Sequence, residues 1–149
     1  MPDGKRILVV DDDDEVRGLL TSILTRRNMV VDEAASGAEA LELLKKNRYA
    51  VVLLDLVMPN VNGFEVLAAI EKSRMQPVVL IVTGAERAQL GQLDSRSIHG
   101  IVRKPFDPDV LGDVVVQCAE TRSRAGFETM AVSTMLASIP LLSLLNLGS

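Results

Sequence analysis

The chain has 149 residues, with 16 Lys+Arg against 20 Asp+Glu and a net charge of −4, which argues against sequence-independent binding to nucleic acid. Hydrophobic residues make up 48% and charged residues 24%, a globular balance at a length that supports one domain with its own core. A single cysteine, Cys118, rules out an intramolecular disulfide, and a single histidine, His99, rules out a multi-histidine zinc site. Aromatic residues are 3%, so the core has to be aliphatic. Lys5 and Arg6 precede only a short apolar run that acidic residues stop, so the expected location is cytoplasmic.

Ile7-Leu8-Val9-Val10 is a continuous apolar run that fits a strand buried on both faces. Val16, Leu19, Leu20, Ile23 and Leu24 follow at i, i+3, i+4, i+7 and i+8, the stripe of an amphipathic helix. Asp13 or Asp14 is placed to cap that helix. Met29 to Val31 begins a second, weaker strand. Ser36-Gly37-Ala38-Glu39 has the form of a capping box, and the helix it opens carries Leu41 and Leu44 and ends near Lys45-Lys46-Asn47. Ala50 to Leu54 is a third buried strand that runs into Asp55. A loop from Met58 to Gly63 leads to a helix over Phe64 to Ser73, with Val66, Leu67 and Ile70 inside. Pro77 introduces a fourth strand, Val78 to Val82, ending at Thr83-Gly84. A weaker helix over Ala85 to Arg96 is interrupted by Gly91. Ile101-Val102 is a short fifth strand, followed by Arg103-Lys104-Pro105-Phe106. Asp107-Pro108 opens the last helix, whose inner face is Val110, Leu111, Val114, Val115 and Cys118. Five strands alternating with helices predict an α/β fold: a doubly wound, five-stranded parallel sheet of flavodoxin-like (βα)5 order with a C-terminal extension.

In an open α/β sheet the site lies at the carboxyl ends of the strands. Those ends carry Asp11 and Asp12 after the first strand, Asp55 after the third, Thr83 after the fourth and Lys104 after the fifth. Three clustered carboxylates repel one another unless a cation sits among them. Hard oxygen ligands favour Mg2+, which keeps waters and accepts phosphate oxygens. A carboxylate is also a competent phosphoryl acceptor. Phosphoryl transfer needs positioning and charge neutralisation more than acid–base work, and Mg2+, the Lys104 ammonium and the Thr83 hydroxyl can supply that.

Val9-Val10-Asp11-Asp12, Leu54-Asp55-Leu56-Val57-Met58-Pro59 followed by Gly63, Val82-Thr83-Gly84 and Lys104-Pro105-Phe106 stand in order over about residues 5–120. In these stretches the chain resembles the receiver domain of two-component response regulators. The resemblance implies that Asp55 is the phosphoacceptor. It implies that Asp11, Asp12, Asp55 and the main-chain carbonyl of Val57 hold Mg2+. It further implies that Lys104 bridges to the acceptor and that Thr83 carries the switch. The implied donor is a phosphohistidine on a histidine kinase or phosphotransfer protein, and the implied output is an altered surface for a downstream protein target. The protein would then catalyse only its own phosphorylation and dephosphorylation, a switch and not a turnover enzyme. Three positions depart from the family pattern. Ile101 stands where an aromatic residue is common, and an aliphatic side chain cannot make a tyrosine's hydrogen bond in coupling to Thr83. Gly84 replaces the usual alanine, so a looser loop is expected. Val57 is an apolar choice at a position that influences hydrolysis of the acyl phosphate.

Blander readings stand beside these. Asp11 and Asp12 could be a solvated capping run, Asp55 a turn cap and Lys104 a surface lysine, but their arrival at matching strand ends favours one site. His99 reads as a surface loop residue and Cys118 as core packing. Two other functions compete. A small-molecule aspartyl-phosphate phosphatase would carry its nucleophile after the first strand, and a receiver-like module that is never phosphorylated would not need all five residues. The expected division is a receiver over 5–122 and an apolar extension over 123–149. Thr129 to Ser149 has no charged side chain, and Arg122 and Arg124 precede it. Its length would suit a membrane span, but Ser133, Thr134, Ser138, Pro140, Ser143 and Asn146 argue against one. A packed helix, or a homodimer through this tail, is the expectation. No separate DNA-binding output pattern fits in so short a segment, and no nucleic-acid partner is expected.

Overall fold

The computed structural model describes residues 6–56, 58, 63–73, 76–84 and 98–122. Val57, the loop over 59–62, the expected helix over 85–96 and the apolar tail lie outside them. The described elements are β1 (Arg6–Val10), α1 (Asp14–Arg26), β2 (Val30–Ala34), α2 (Gly37–Lys46), β3 (Val51–Leu54), α3 (Gly63–Lys72), β4 (Val78–Thr83), β5 (Gly100–Arg103) and α4 (Pro108–Arg122). All five strands pair parallel in the order β2-β1-β3-β4-β5, the flavodoxin-like order expected from the alternation.

Alternate strand residues feed two aliphatic layers. Ile7, Val9, Val51, Leu53, Leu80 and Val82 pack with Leu20 and Leu24 of α1 and Leu111, Val115 and Cys118 of α4. Leu8, Val10, Val52, Leu54, Val79 and Ile81 pack with Val66, Leu67 and Ile70 of α3. The central strands are therefore buried on both faces, which is why they read as unbroken apolar runs.

The helix ends follow their local chemistry. Asp13 caps α1, its carboxylate accepting from the amides of Glu15 at 2.9 Å and Val16 at 3.3 Å. Asn28 takes the left-handed conformation at φ 67°, and the amides of Asn28 and Met29 donate to the carbonyls of Thr25 and Leu24. That pair of bonds ends α1 in a Schellman motif. At α2 the Glu39 amide donates to Ser36 Oγ at 3.2 Å, whereas the Glu39 carboxylate reaches past Ser36 to the amide of Ala35 at 2.7 Å. The capping box is thus stretched by one residue. Asp107 caps α4 through the amides of Asp109 and Val110.

Two sequence expectations need correction. Leu19, read as part of the buried stripe of α1, is 42% exposed. It lies about 100° around the helix from Leu20, past the edge of the face that meets the sheet. His99, read as a surface residue, is half-buried and locked to β4: its amide donates to the Val79 carbonyl at 2.8 Å and its Nδ1 accepts from the Val79 amide at 3.0 Å.

Candidate functional site

Parallel strands in matching register end together, so the residues after them meet along one edge. Val10 pairs with Leu54, Leu54 with Ile81, and Thr83 with Arg103. The ladder continues one step beyond the strands, with the Asp11 amide donating to Ala34, that of Asp55 to Val10, and that of Lys104 to Thr83. The side chains of Asp11, Asp55, Thr83 and Lys104 are consequently set by the sheet itself. Asp11 is 2% exposed, Asp55 5% and Thr83 not at all.

Asp55 is held from two sides. Thr83 Oγ1 donates to its Oδ1 at 2.9 Å, and Lys104 Nζ stands 3.3 Å from its Oδ2. The same ammonium lies 2.7 Å from Asp11 Oδ2. Asp12 is exposed at the rim, and carboxylate oxygens of Asp11, Asp12 and Asp55 all lie within 4.8 Å of one another. Five of the residues singled out in the sequence therefore meet at one point; Val57 lies outside the described residues.

Burial pushes the Asp11 carboxyl above its ordinary range, against the pull of the Lys104 ammonium and the Asp13 amide. Burial also works against the Lys104 ammonium, but its hydrogen bond to Asp11 and the negative charge of Asp55 outweigh that and hold its pKa above the usual lysine value. Lys104 is thus a fixed cation between two buried carboxylates. Three hard oxygen donors within reach of one another also suit a small divalent cation such as Mg2+.

The family model for the response regulator receiver domain matches residues 7–116. The chain belongs to that family. Among curated proteins it is 33% identical over 105 residues to the transcriptional regulatory protein SrrA of Staphylococcus aureus, covering 70% of this chain and 44% of the relative. The chain thus spans less than half the length of that relative. Among solved structures, a CheY-like receiver domain protein from Methanospirillum hungatei superposes with a TM-score of 0.74 at 25% identity, covering 82% of this chain and 98% of the other. The response regulator TrrA from Thermotoga maritima, solved in complex with Mg2+–BeF, gives 0.67 at 34% identity, covering 76% and 98%.

Four further residues of the receiver bear on this edge. At Gly63 a Cβ would lie 2.3 Å from the Asp55 carbonyl oxygen and 2.5 Å from Leu56 Cα, so only glycine lets α3 start against the backbone of Asp55 and Leu56. The Gly63 amide donates to the Leu56 carbonyl at 3.0 Å. Ile101 is half-buried and packs against the layer that contains Val79 and Ile81, so its aliphatic side chain acts as packing. Gly84 is exposed, and among the described residues a Cβ there would meet nothing within 4 Å. Sequence reasoning passed over Arg17, whose guanidinium donates to the Asp11 carbonyl at 2.7 Å. Its position on the polar side of α1 gave no signal of that contact.

Proposed function

We propose that this receiver accepts a phosphoryl group on Asp55 from a phosphohistidine of a histidine kinase or phosphotransfer protein. The observation that carries the reading is the carboxylate of Asp55 itself. It is nearly buried at a strand end, with a hydroxyl on one oxygen, an ammonium on the other and two more carboxylates beside it. An Asp55 carboxylate oxygen forms the new O–P bond while the P–N bond of the donor breaks and its electron pair returns to the imidazole. Water later cleaves the acyl phosphate to inorganic phosphate and restores the carboxylate. Bound by Asp11, Asp12, Asp55 and the Val57 carbonyl, Mg2+ would neutralise charge on the phosphoryl oxygens. Lys104 holds a second positive charge where that group arrives. Thr83 turns its hydroxyl from Asp55 to a phosphoryl oxygen, which draws the end of β4 inward and alters the surface offered to a downstream protein target.

The switch turns over no substrate other than its own phosphoryl group. The receiver, acidic overall, contacts protein partners and not nucleic acid, and works in the cytoplasm. No helix among the described residues is long and apolar enough to cross a membrane. The receiver occupies residues 5–122, and the apolar 123–149 segment packs on it or pairs with a second copy. Intact mass after incubation with Mg2+ and a small acyl-phosphate donor tests the acceptor: the wild type gains one phosphoryl mass and Asp55→Asn does not. Gain at the wild-type rate in Asp55→Asn refutes the assignment. Sedimentation of the full chain against one ending at residue 125 tests the tail; the same monomeric state and melting temperature for both would refute a packing or pairing role.

A further inference from the structure

Every polar atom of Asp11 is engaged. Its amide donates to the Ala34 carbonyl at 3.1 Å, its Oδ1 accepts from the Asp13 amide at 2.9 Å, its Oδ2 meets Lys104 at 2.7 Å, and its carbonyl accepts from Arg17 Nη1 at 2.7 Å. The first three contacts belong to the sheet, the loop turn and the site. The fourth comes from the second turn of α1, from a side chain only 14% exposed. The same guanidinium donates from Nε to Glu33 Oε1 of β2 at 3.0 Å and from Nη2 to Asp14 Oδ1 at 2.5 Å. Three different partners on three different nitrogens fix its plane as a fork.

The consequence falls on Asp12. In a planar trans peptide the Asp11 carbonyl and the Asp12 amide point in opposite directions. Fixing the carbonyl therefore fixes the orientation of the whole unit and the place from which Asp12 projects its exposed carboxylate. A cation this close to a divalent-ion site would by itself oppose metal binding. Asp14 and Glu33 offset that charge while leaving the carbonyl contact in place.

On the reading of Asp11, Asp12 and Asp55 as a metal site, we infer that Arg17 is a positioning residue for it. It holds the Asp11–Asp12 peptide so that both carboxylates face one ion, and Asp14 and Glu33 mask its charge. Field and position predict opposite signs. Removing a positive charge should tighten binding of Mg2+, whereas loosening the peptide should weaken it.

The experiment is a titration of the full chain with MgCl2 at constant ionic strength, followed by amide chemical shifts of the 15N-labelled protein. Arg17→Lys keeps the charge and loses the fork, and Arg17→Gln loses both. Each is expected to weaken Mg2+ binding by about 10-fold, as loss of groups that orient metal ligands does. Arg26→Gln removes a charge from the exposed end of the same helix and is expected to stay within about 2-fold by simple field effects. Glu33→Gln unties Arg17 from β2 but keeps the carbonyl bond, and is expected within about 3-fold. Wild-type affinity in Arg17→Lys, or tighter binding in Arg17→Gln, overturns the inference. So does a loss in Glu33→Gln equal to that in Arg17→Lys, because Arg17 would then be a tie between α1 and β2. If one Arg17 variant lacks a cooperative melt, the other decides. A wild type that shows no Mg2+-dependent shifts near Asp11 and Asp12 overturns the metal site itself and this inference with it. A wild type that binds while both Arg17 variants bind equally well overturns only the role of Arg17.

Discussion

Two glycine-to-alanine substitutions in this chain should have opposite signs. At Gly63 the added methyl would stand 2.3 Å from the Asp55 carbonyl oxygen and 2.5 Å from Leu56 Cα. Carbon contacts relax at ~3.5–4.0 Å, so α3 and the Asp55–Leu56 backbone have to part by roughly 1 Å. Neither wall is a side chain that could rotate away, and the hydrogen bond from Gly63 to Leu56 resists the separation. Overpacking of this kind costs about 1–3 kcal/mol, and a weakened backbone hydrogen bond adds about 0.5–1.5 kcal/mol. The better helix propensity of alanine returns less than ~1 kcal/mol at a first helical position. A net loss of about 2 kcal/mol follows, which for a domain of this size lowers Tm by roughly 8 °C. At Gly18, exposed in the middle of α1, a Cβ meets nothing within 4 Å. Gly18→Ala should therefore stabilise by about 0.5–1 kcal/mol and raise Tm by roughly 2–4 °C. Displacement of the Asp55 backbone should also slow phosphorylation of Gly63→Ala by up to about 100-fold, while Gly18→Ala reacts at the wild-type rate. Thermal melts by circular dichroism and intact-mass time courses with an acyl-phosphate donor read both effects. A Gly63→Ala variant that melts within about 1 °C of wild type, equivalent to about 0.3 kcal/mol, and is phosphorylated equally fast would refute the close-approach argument.

Asp12→Ala should raise the stability of the metal-free protein by about 0.5–1 kcal/mol, by removing one of three neighbouring carboxylates, and should weaken Mg2+ binding. Unchanged melting and unchanged Mg2+ dependence would show that Asp12 takes no part in the cluster. Burial pushes the Cys118 thiol up to about 12 from 9.0. Because the folded value is the higher one, the stability it contributes is full below pH 9 and is lost as pH rises towards 12. Native protein at pH 8 should accordingly resist iodoacetamide and react at Cys118 only on unfolding; rapid alkylation of the folded chain would contradict its place between α4 and the sheet.

Much of this protein is written locally. Unbroken runs such as Val51–Leu54 and Val78–Val82 can be satisfied only in strands covered on both faces, and Asp13 and Asp107 mark helix starts because their carboxylates reach amides two and three residues on. The same locality made Asp11, Asp12, Asp55, Thr83 and Lys104 legible, since parallel strands must end together and each residue ends its strand or stands within two residues of that end. Tertiary structure decided what depends on partners distant in the chain. Leu19 obeys the helical spacing yet faces solvent, because the sheet and α4 cover only part of the circumference of α1. His99 accepts from Val79, 20 residues away, and Arg17 joins Glu33, 16 residues away, to the Asp11 carbonyl. Backbone carbonyls carry no sequence signature, so neither the hold of Arg17 on Asp11 nor the contact that reserves position 63 for glycine could be derived from spacing. Both arise only when α1 and α3 are laid against the strand ends, where a gap of an ångström decides which side chain fits.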